Sequence, residues 1–193
     1  MEGRLYVIGM GPGSGEMMTP QAARALERCQ VIAGYTVYVE LLKERYPQAE
    51  FLTTPMTREE ERCRMALKRA AQGAQTAMVC SGDAGVYGMA GLILELAQEY
   101  PGVAVEIVPG ITAACAGAAI LGAPLMHDFA VISLSDRLTA LELIWKRVEL
   151  AAQGDFVICL YNPASRTRKD YLARACRLIG QYRSPETVCG LVR

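Results

Sequence analysis

The sequence predicts an α/β protein in two parts, each a largely parallel sheet with helices on its faces, and three observations carry that prediction. Short apolar runs of strand length alternate with helix-patterned segments along the 193 residues, which is the order that parallel βαβ units impose. Two of the runs end in glycine-rich loops, Gly9-Met10-Gly11-Pro12-Gly13-Ser14-Gly15 and Ser81-Gly82-Asp83-Ala84-Gly85. Beyond Pro124 to Asp128 a new strand-and-helix series starts with no such loop behind it.

In order, Arg4–Gly9 reads as a strand. Thr19 caps a helix that has Pro20 at its first position and runs to about Cys29. Val31–Gly34 is a short strand, Val37–Arg45 a helix, and Glu50–Leu52 an extended piece. Thr57 with Glu60 has the spacing of a capping box for an amphipathic helix to Gln72. Strand Thr76–Cys80, helix Met89–Tyr100, strand Val103–Val108 and an Ala-rich helix Thr112–Leu121 follow. In the second part come strand Phe129–Leu134, a helix capped by Thr139 with Glu142 and running to Ala152, strand Phe156–Tyr161, helix Thr167–Gln181, and a last strand Thr187–Val192.

Composition narrows the function. A hydrophobic content of 52% supports a packed core, and twenty basic against twenty acidic residues give no net charge. The electrostatic footprint of a nucleic-acid binder is therefore missing. Sixteen of the twenty cations are Arg, which suits forked recognition of carboxylates. Seven cysteines never come closer than thirteen residues, so no CxxC pair offers a metal or redox site, and most lie in apolar runs as buried thiols of a reducing cytoplasm would. The uncharged window Ile107–Met126 is split by Pro109-Gly110 and ended by Gly122-Ala123-Pro124. The helix left inside it is too short to cross a bilayer.

The two glycine loops point to one small-molecule site, because ligands of open α/β sheets sit beyond the carboxyl ends of the strands. The first loop is neither a dinucleotide fingerprint nor a P-loop: Ser14 stands where the third glycine would be, and no Gly-Lys-Ser/Thr is present. The Gly-Pro-Gly turn is either a tight connection or a ligand contact. Asp83 is either a helix cap or an anchor for a ligand's ammonium or hydroxyl groups. His127, the one histidine, is either structural or a general base. Asn162-Pro163 with Arg166 and Arg168 forms another strand-end loop.

Taken together, Val7-Ile8-Gly9-Met10-Gly11-Pro12-Gly13, Ser81-Gly82-Asp83, Val108-Pro109-Gly110-Ile111-Thr112-Ala113 and Leu160-Tyr161-Asn162-Pro163 resemble the tetrapyrrole (uroporphyrin/corrin/porphyrin) methylases over essentially the whole chain. That resemblance implies two α/β domains, residues 1–123 and 124–193, with S-adenosylmethionine in the cleft between them. It also implies an incomplete second domain, since relatives continue with further strands, and a homodimer in the cytoplasm. By position it assigns Gly11, Pro12, Ser81, Gly82, Asp83, Val86, Thr112, Ala113 and Asn162 to the methyl donor. Ala84 departs from the family pattern, which has proline there, and the departure predicts a looser second loop.

Residues 122–129 and 132–139 resemble the family members of cobalamin biosynthesis that methylate a ring carbon of a corrinoid precursor and contract the macrocycle. Methyl transfer from a sulfonium is an in-line displacement, so alignment and desolvation carry most of it. The ring rearrangement calls for a proton donor or acceptor, for which Asp128, His127 and Asp136 are candidates. Arg137, Arg166 and Arg168 are candidate clamps for the macrocycle's carboxylates. No metal site, membrane or nucleic acid is expected. The alternatives are a sibling methylating another position of a tetrapyrrole, and a binding module without turnover; methylation of RNA or protein is disfavoured by the charge balance and by residues 133–139.

Overall fold

A computed structural model describes residues 3–13, 15–165 and 168–192. The chain divides into two compact units, Met1–Ala113 and Ala114–Arg193. In the first, β1 (Arg4–Gly9), β2 (Val31–Tyr35), β3 (Glu50–Thr54), β4 (Gln75–Cys80) and β5 (Ala104–Val108) form one sheet in the order β3-β2-β4-β1-β5, all pairs parallel. Helices α1 (Pro20–Glu27), α2 (Thr36–Lys43), α3 (Glu59–Ala71) and α4 (Ala90–Leu96) supply the crossovers.

Strand alternation sends side chains to two cores. Tyr6, Ile8, Ile32, Ala77 and Val79 pack with Ala22, Ala25, Leu26, Val39 and Leu42 of α1 and α2. Leu5, Val7, Ala33, Met78 and Cys80 pack on the opposite face with Cys63, Ala66, Leu67 and Ile93 of α3 and α4. Both faces of β1 and β4 are thus covered, which is why residues 5–8 and 77–80 are apolar without alternation. Arg62 is buried in α3 and donates to the Thr54 hydroxyl at 2.7 Å.

The start of α1 follows the sequence reading: the Thr19 hydroxyl accepts from the Ala22 N–H at 3.1 Å, with Pro20 at the first position. The other two caps do not. Helix α3 is preceded by Arg58 without a side-chain cap, because Thr57 sits at φ 76° and gives its own N–H to the Glu59 carboxylate at 3.2 Å. Glu59, Glu60 and Glu61 in the first turn and Lys68 and Arg69 in the last complement the helix dipole instead. The helix expected over 89–100 ends at Leu96 and tightens into a 3-10 turn, Ala97–Glu99.

The second unit pairs β6 (Phe129–Ser133) and β7 (Val157–Tyr161) in parallel, joined by α6 (Leu141–Gln153) and followed by α7 (Tyr171–Ile179). Ile132, Leu134, Ile144, Trp145, Val148 and Ala175 form its core. Ala140, not Thr139, precedes α6, and no side chain caps it. The strand expected at 187–192 is absent. Those residues are irregular, and Val192 lies against Gly117 of α5 (Ala113–Ile120). Among the described residues no helix is long and apolar enough to cross a membrane.

The cysteines are free, but Cys115, Cys176 and Cys189 are exposed, against the expectation of mostly buried thiols. Burial pushes the Cys29 and Cys63 thiols up to about 12 and Cys80 up to about 11.

Candidate functional site

The direction of the crossover connections reverses between β1 and β4. From β1 the chain crosses toward β2, and from β4 it crosses the other way to β5, while β1 and β4 are neighbours. Two adjacent parallel strands whose crossovers diverge open a crevice at their carboxyl ends. Both glycine loops leave the sheet there.

The loops are bonded to each other. Gly11 and Gly82 form an antiparallel bridge, with the Gly11 N–H donating to the Gly82 carbonyl at 3.0 Å and the Gly82 N–H donating to the Gly11 carbonyl at 2.8 Å. The Met10 N–H donates to the Cys80 carbonyl at 2.9 Å. Gly82 takes φ 67°, a left-handed conformation that glycine adopts without a Cβ penalty. At Gly110, just past β5, a Cβ would overlap the Gly82 carbonyl oxygen and stand 2.7 Å from the Gly9 carbonyl. Three strand ends therefore meet backbone against backbone.

Asp83 fastens this arrangement. One carboxylate oxygen accepts from the N–H groups of Gly85 at 2.8 Å and Val86 at 3.1 Å; the other accepts from the Gly110 N–H at 2.9 Å. No helix starts at Val86, since α4 begins at Ala90 after Met89 and has no side-chain cap, so Asp83 is not a helix cap; its carboxylate ties the loop after β4 to the loop after β5. Ala84 is fully buried, and its carbonyl accepts from the Ala90 N–H at 3.1 Å, so this loop is held without the family's proline.

Of the residues assigned to the methyl donor, Gly11, Pro12, Ser81, Gly82, Asp83, Val86, Thr112 and Ala113 all fall in the segments that follow β1, β4 and β5. Gly82 stacks on Thr112 and Ala113: a Cβ on it would stand 3.6 Å from the Thr112 Cα. Beside the first loop the sequence reading missed a cavity of about 50 Å³, lined by Met10, Gly13, Met18, Leu42 and Arg45 among others. Nothing in the linear pattern marks Arg45, because α2 brings it to the loop only on folding.

In the second unit, Asn162 follows β7 at φ 51°, a region that Asn tolerates better than most residues. Its amide donates to the Ser133 hydroxyl at 3.0 Å. The Arg168 side chain is 12% exposed and donates to the carbonyls of Leu134 at 2.9 Å and Asn162 at 3.2 Å and to the Ser165 hydroxyl at 3.1 Å. Asp136 lies 3.7 Å from its Nε and accepts from the Tyr171 hydroxyl at 2.8 Å. That hydrogen bond pushes the Tyr171 hydroxyl pKa up. Arg137 is exposed, and Arg166 lies outside the described residues.

The three candidate proton-handling groups are not brought together. His127 and Asp128 are exposed residues ahead of β6, whereas Asp136 lies beyond its carboxyl end. A strand of this length separates its ends by about 16 Å. Among the described residues no cluster of His, Cys, Asp and Glu could hold a metal.

Comparison with known proteins bears on the same segments. The family described as "Tetrapyrrole (Corrin/Porphyrin) Methylases" matches residues 4–193. A protein of Salmonella typhimurium named "Probable cobalt-factor III C(17)-methyltransferase" is 48% identical over 190 residues, covering 98% of this chain and 79% of its own. A precorrin-3B C(17)-methyltransferase of a Sinorhizobium species is 45% identical over 184 residues, covering 93% of this chain and 72% of its own. The chain spans 37% of one longer relative that it matches throughout. Among solved structures, the methyltransferase CobJ superposes with a TM-score of 0.89 at 38% identity, over 95% of this chain and 77% of that one.

Proposed function

The chain belongs to the tetrapyrrole (corrin/porphyrin) methylases, and on that footing we propose that it is a C(17)-methyltransferase of cobalamin biosynthesis. Its substrate is a corrinoid precursor of the precorrin-3B or cobalt-factor III type, its methyl donor is S-adenosylmethionine, and methylation is coupled to contraction of the macrocycle. The observation that carries this reading is the hydrogen-bonded pair of glycine loops at the divergent strand ends, in a chain so similar to two C(17)-methyltransferases.

The residues fit such a donor. Because Gly9, Gly82 and Gly110 meet without side chains, the crevice presents backbone, which suits a ligand held by N–H and C=O groups. S-adenosylmethionine supplies a methyl group on a sulfonium that leaves as a neutral thioether. Gly11, Pro12, Ser81, Gly82, Val86, Thr112 and Ala113 hold the donor, Asp83 keeps their loops in register, and Asn162 is likewise assigned to the donor. Arg137 is the exposed cation assigned to a substrate carboxylate. Asp136, beyond the carboxyl end of β6, is better placed for proton handling than His127 and Asp128, which precede that strand. The protein acts in the cytoplasm as a homodimer.

The test is mass spectrometry of the macrocycle after incubation with S-adenosylmethionine. Addition of one methyl at C17, balanced by the loss of one proton from the macrocycle, with a contracted ring, is expected. A methyl at another carbon would make the chain a sibling activity, and tight donor binding without turnover would make it a binding module.

A further inference from the structure

We propose that Arg168 is a positioning residue for the methyl donor: by holding the carbonyls of Leu134 and Asn162 on one guanidinium, it sets the conformation in which Asn162 meets that ligand. The inference rests on the assignment of Asn162 to the donor.

The main-chain ladder between β6 and β7 runs one step past the strands, where the Leu134 N–H donates to the Tyr161 carbonyl at 2.8 Å. There the strands end and the chains diverge. Nη1 of Arg168 bridges the gap, with the Leu134 carbonyl at 2.9 Å on one side and the Asn162 carbonyl at 3.2 Å on the other. Asn162 sits at φ 51°, a left-handed conformation that Asn tolerates and that its neighbours here hold in place. Two contacts do so: the guanidinium on its carbonyl and the Ser133 hydroxyl on its amide at 3.0 Å.

The guanidinium is itself anchored. Ser165 accepts from Nε at 3.1 Å, and Asp136 stands 3.7 Å from Nε while accepting from Tyr171. The Arg168 guanidinium also lies 6.0 Å from the centroid of the Tyr171 ring. A side chain so engaged, and 12% exposed, is spent on the protein and is not open to clamp a substrate carboxylate. Lysine would not replace it, since one ammonium on a flexible stem lacks the rigid fork that reaches carbonyls through Nη1 and Ser165 through Nε.

The experiment is a double-mutant cycle of Arg168→Lys and Asn162→Ala, read by calorimetric titration with S-adenosylmethionine, steady-state kinetics with the macrocycle, and thermal melting. Arg168→Lys should weaken donor binding roughly tenfold, the loss expected of a charged hydrogen bond, and leave the macrocycle KM at saturating donor within about twofold. In the Asn162→Ala background the same change should alter donor affinity by less than about twofold, because coupled residues are not additive. Asp136→Asn, which loosens the anchor while keeping Arg168, should shift donor affinity in the same direction by less, and it decides the matter if Arg168→Lys does not fold. Unchanged donor affinity overturns the proposal, as does a rise in macrocycle KM alone, or a full tenfold effect in the absence of Asn162. If the parent protein binds no S-adenosylmethionine, the donor assignment itself fails, an outcome distinct from a binding parent with indifferent variants.

Discussion

Asp83→Asn separates the two readings of the second glycine loop. As a simple helix cap, Asn would serve nearly as well as Asp. The structure gives a different expectation, because both carboxylate oxygens accept backbone N–H groups, two on one side and Gly110 on the other. An asparagine that keeps its oxygen toward Gly85 and Val86 turns its NH2 toward the Gly110 N–H, donor against donor. One charge-assisted hydrogen bond is lost, and the Gly110 N–H is left without its partner; each such loss is worth about 1.5–3 kcal/mol when buried. Asp83 and Gly110 are only half-buried, so water recovers part of this, and the net loss should be about 2 kcal/mol. For a chain of this size that is a fall of roughly 4–8 °C in melting temperature. Donor affinity should fall with it, since the loop after β5 is no longer tied to the loop after β4. Paired calorimetric melts and titrations check this. A variant that melts within about 1 °C of the parent yet loses more than about tenfold in donor affinity would show a carboxylate that faces the ligand and would refute the clasp.

Gly110→Ala should be far more damaging, losing upwards of about 3 kcal/mol or failing to fold, because its Cβ would meet the Gly9 carbonyl at 2.7 Å. Gly91→Ala, on the exposed second residue of α4 where a Cβ meets nothing within 4 Å, should instead stabilise by about 0.5 kcal/mol in urea melts. Iodoacetamide at neutral pH should label Cys115, Cys176 and Cys189 and spare Cys29, Cys63 and Cys80 until the chain is unfolded; peptide mapping reads the pattern. The three buried thiols are raised above the ordinary value of 9.0, so their stabilising effect is complete below about pH 9 and is lost as pH climbs toward 11–12, by up to about 1.4 kcal/mol per pH unit for each thiol. Alkaline melts of Cys63→Ala should show a shallower fall than those of the parent.

The fold was legible wherever local pattern and tertiary packing agree. Leu5-Tyr6-Val7-Ile8 and Ala77-Met78-Val79-Cys80 are apolar because both sheet faces are covered, so their strands could be read directly. The missed caps fail for a local reason: Thr57 and Thr139 have cap chemistry, but the backbone at 57 turns left-handed and the helix after 139 starts one residue late. Val188 and Val192 have strand composition, yet a strand exists only where an edge pairs with it, and Val192 finds Gly117 instead. In the site, glycine spacing and a lone Asp marked the loops, and the family resemblance named their residues. Neither could tell that Arg168 turns inward on two carbonyls, because that depends on where β6 and β7 end relative to each other.

The site is therefore built from main chain held by a few polar side chains, and this suits the chemistry assigned to it. A sulfonium already carries its leaving group, so the protein's task is to align donor and acceptor carbon and to keep water away. Alignment of that kind is sensitive to loop placement, so a titratable group matters to it through the backbone that the group holds. Damage should accordingly concentrate at Gly82, Asp83, Gly110 and Arg168, which fix the strand-end loops, and be slight at His127 and Asp128, ahead of β6. Steady-state kinetics of His127→Ala and Asp128→Asn check this: both should keep kcat within about threefold of the parent. A loss of about a hundredfold, the scale of general acid–base catalysis, would return the proton-handling role to the amino-terminal end of β6 and overturn this account of the site.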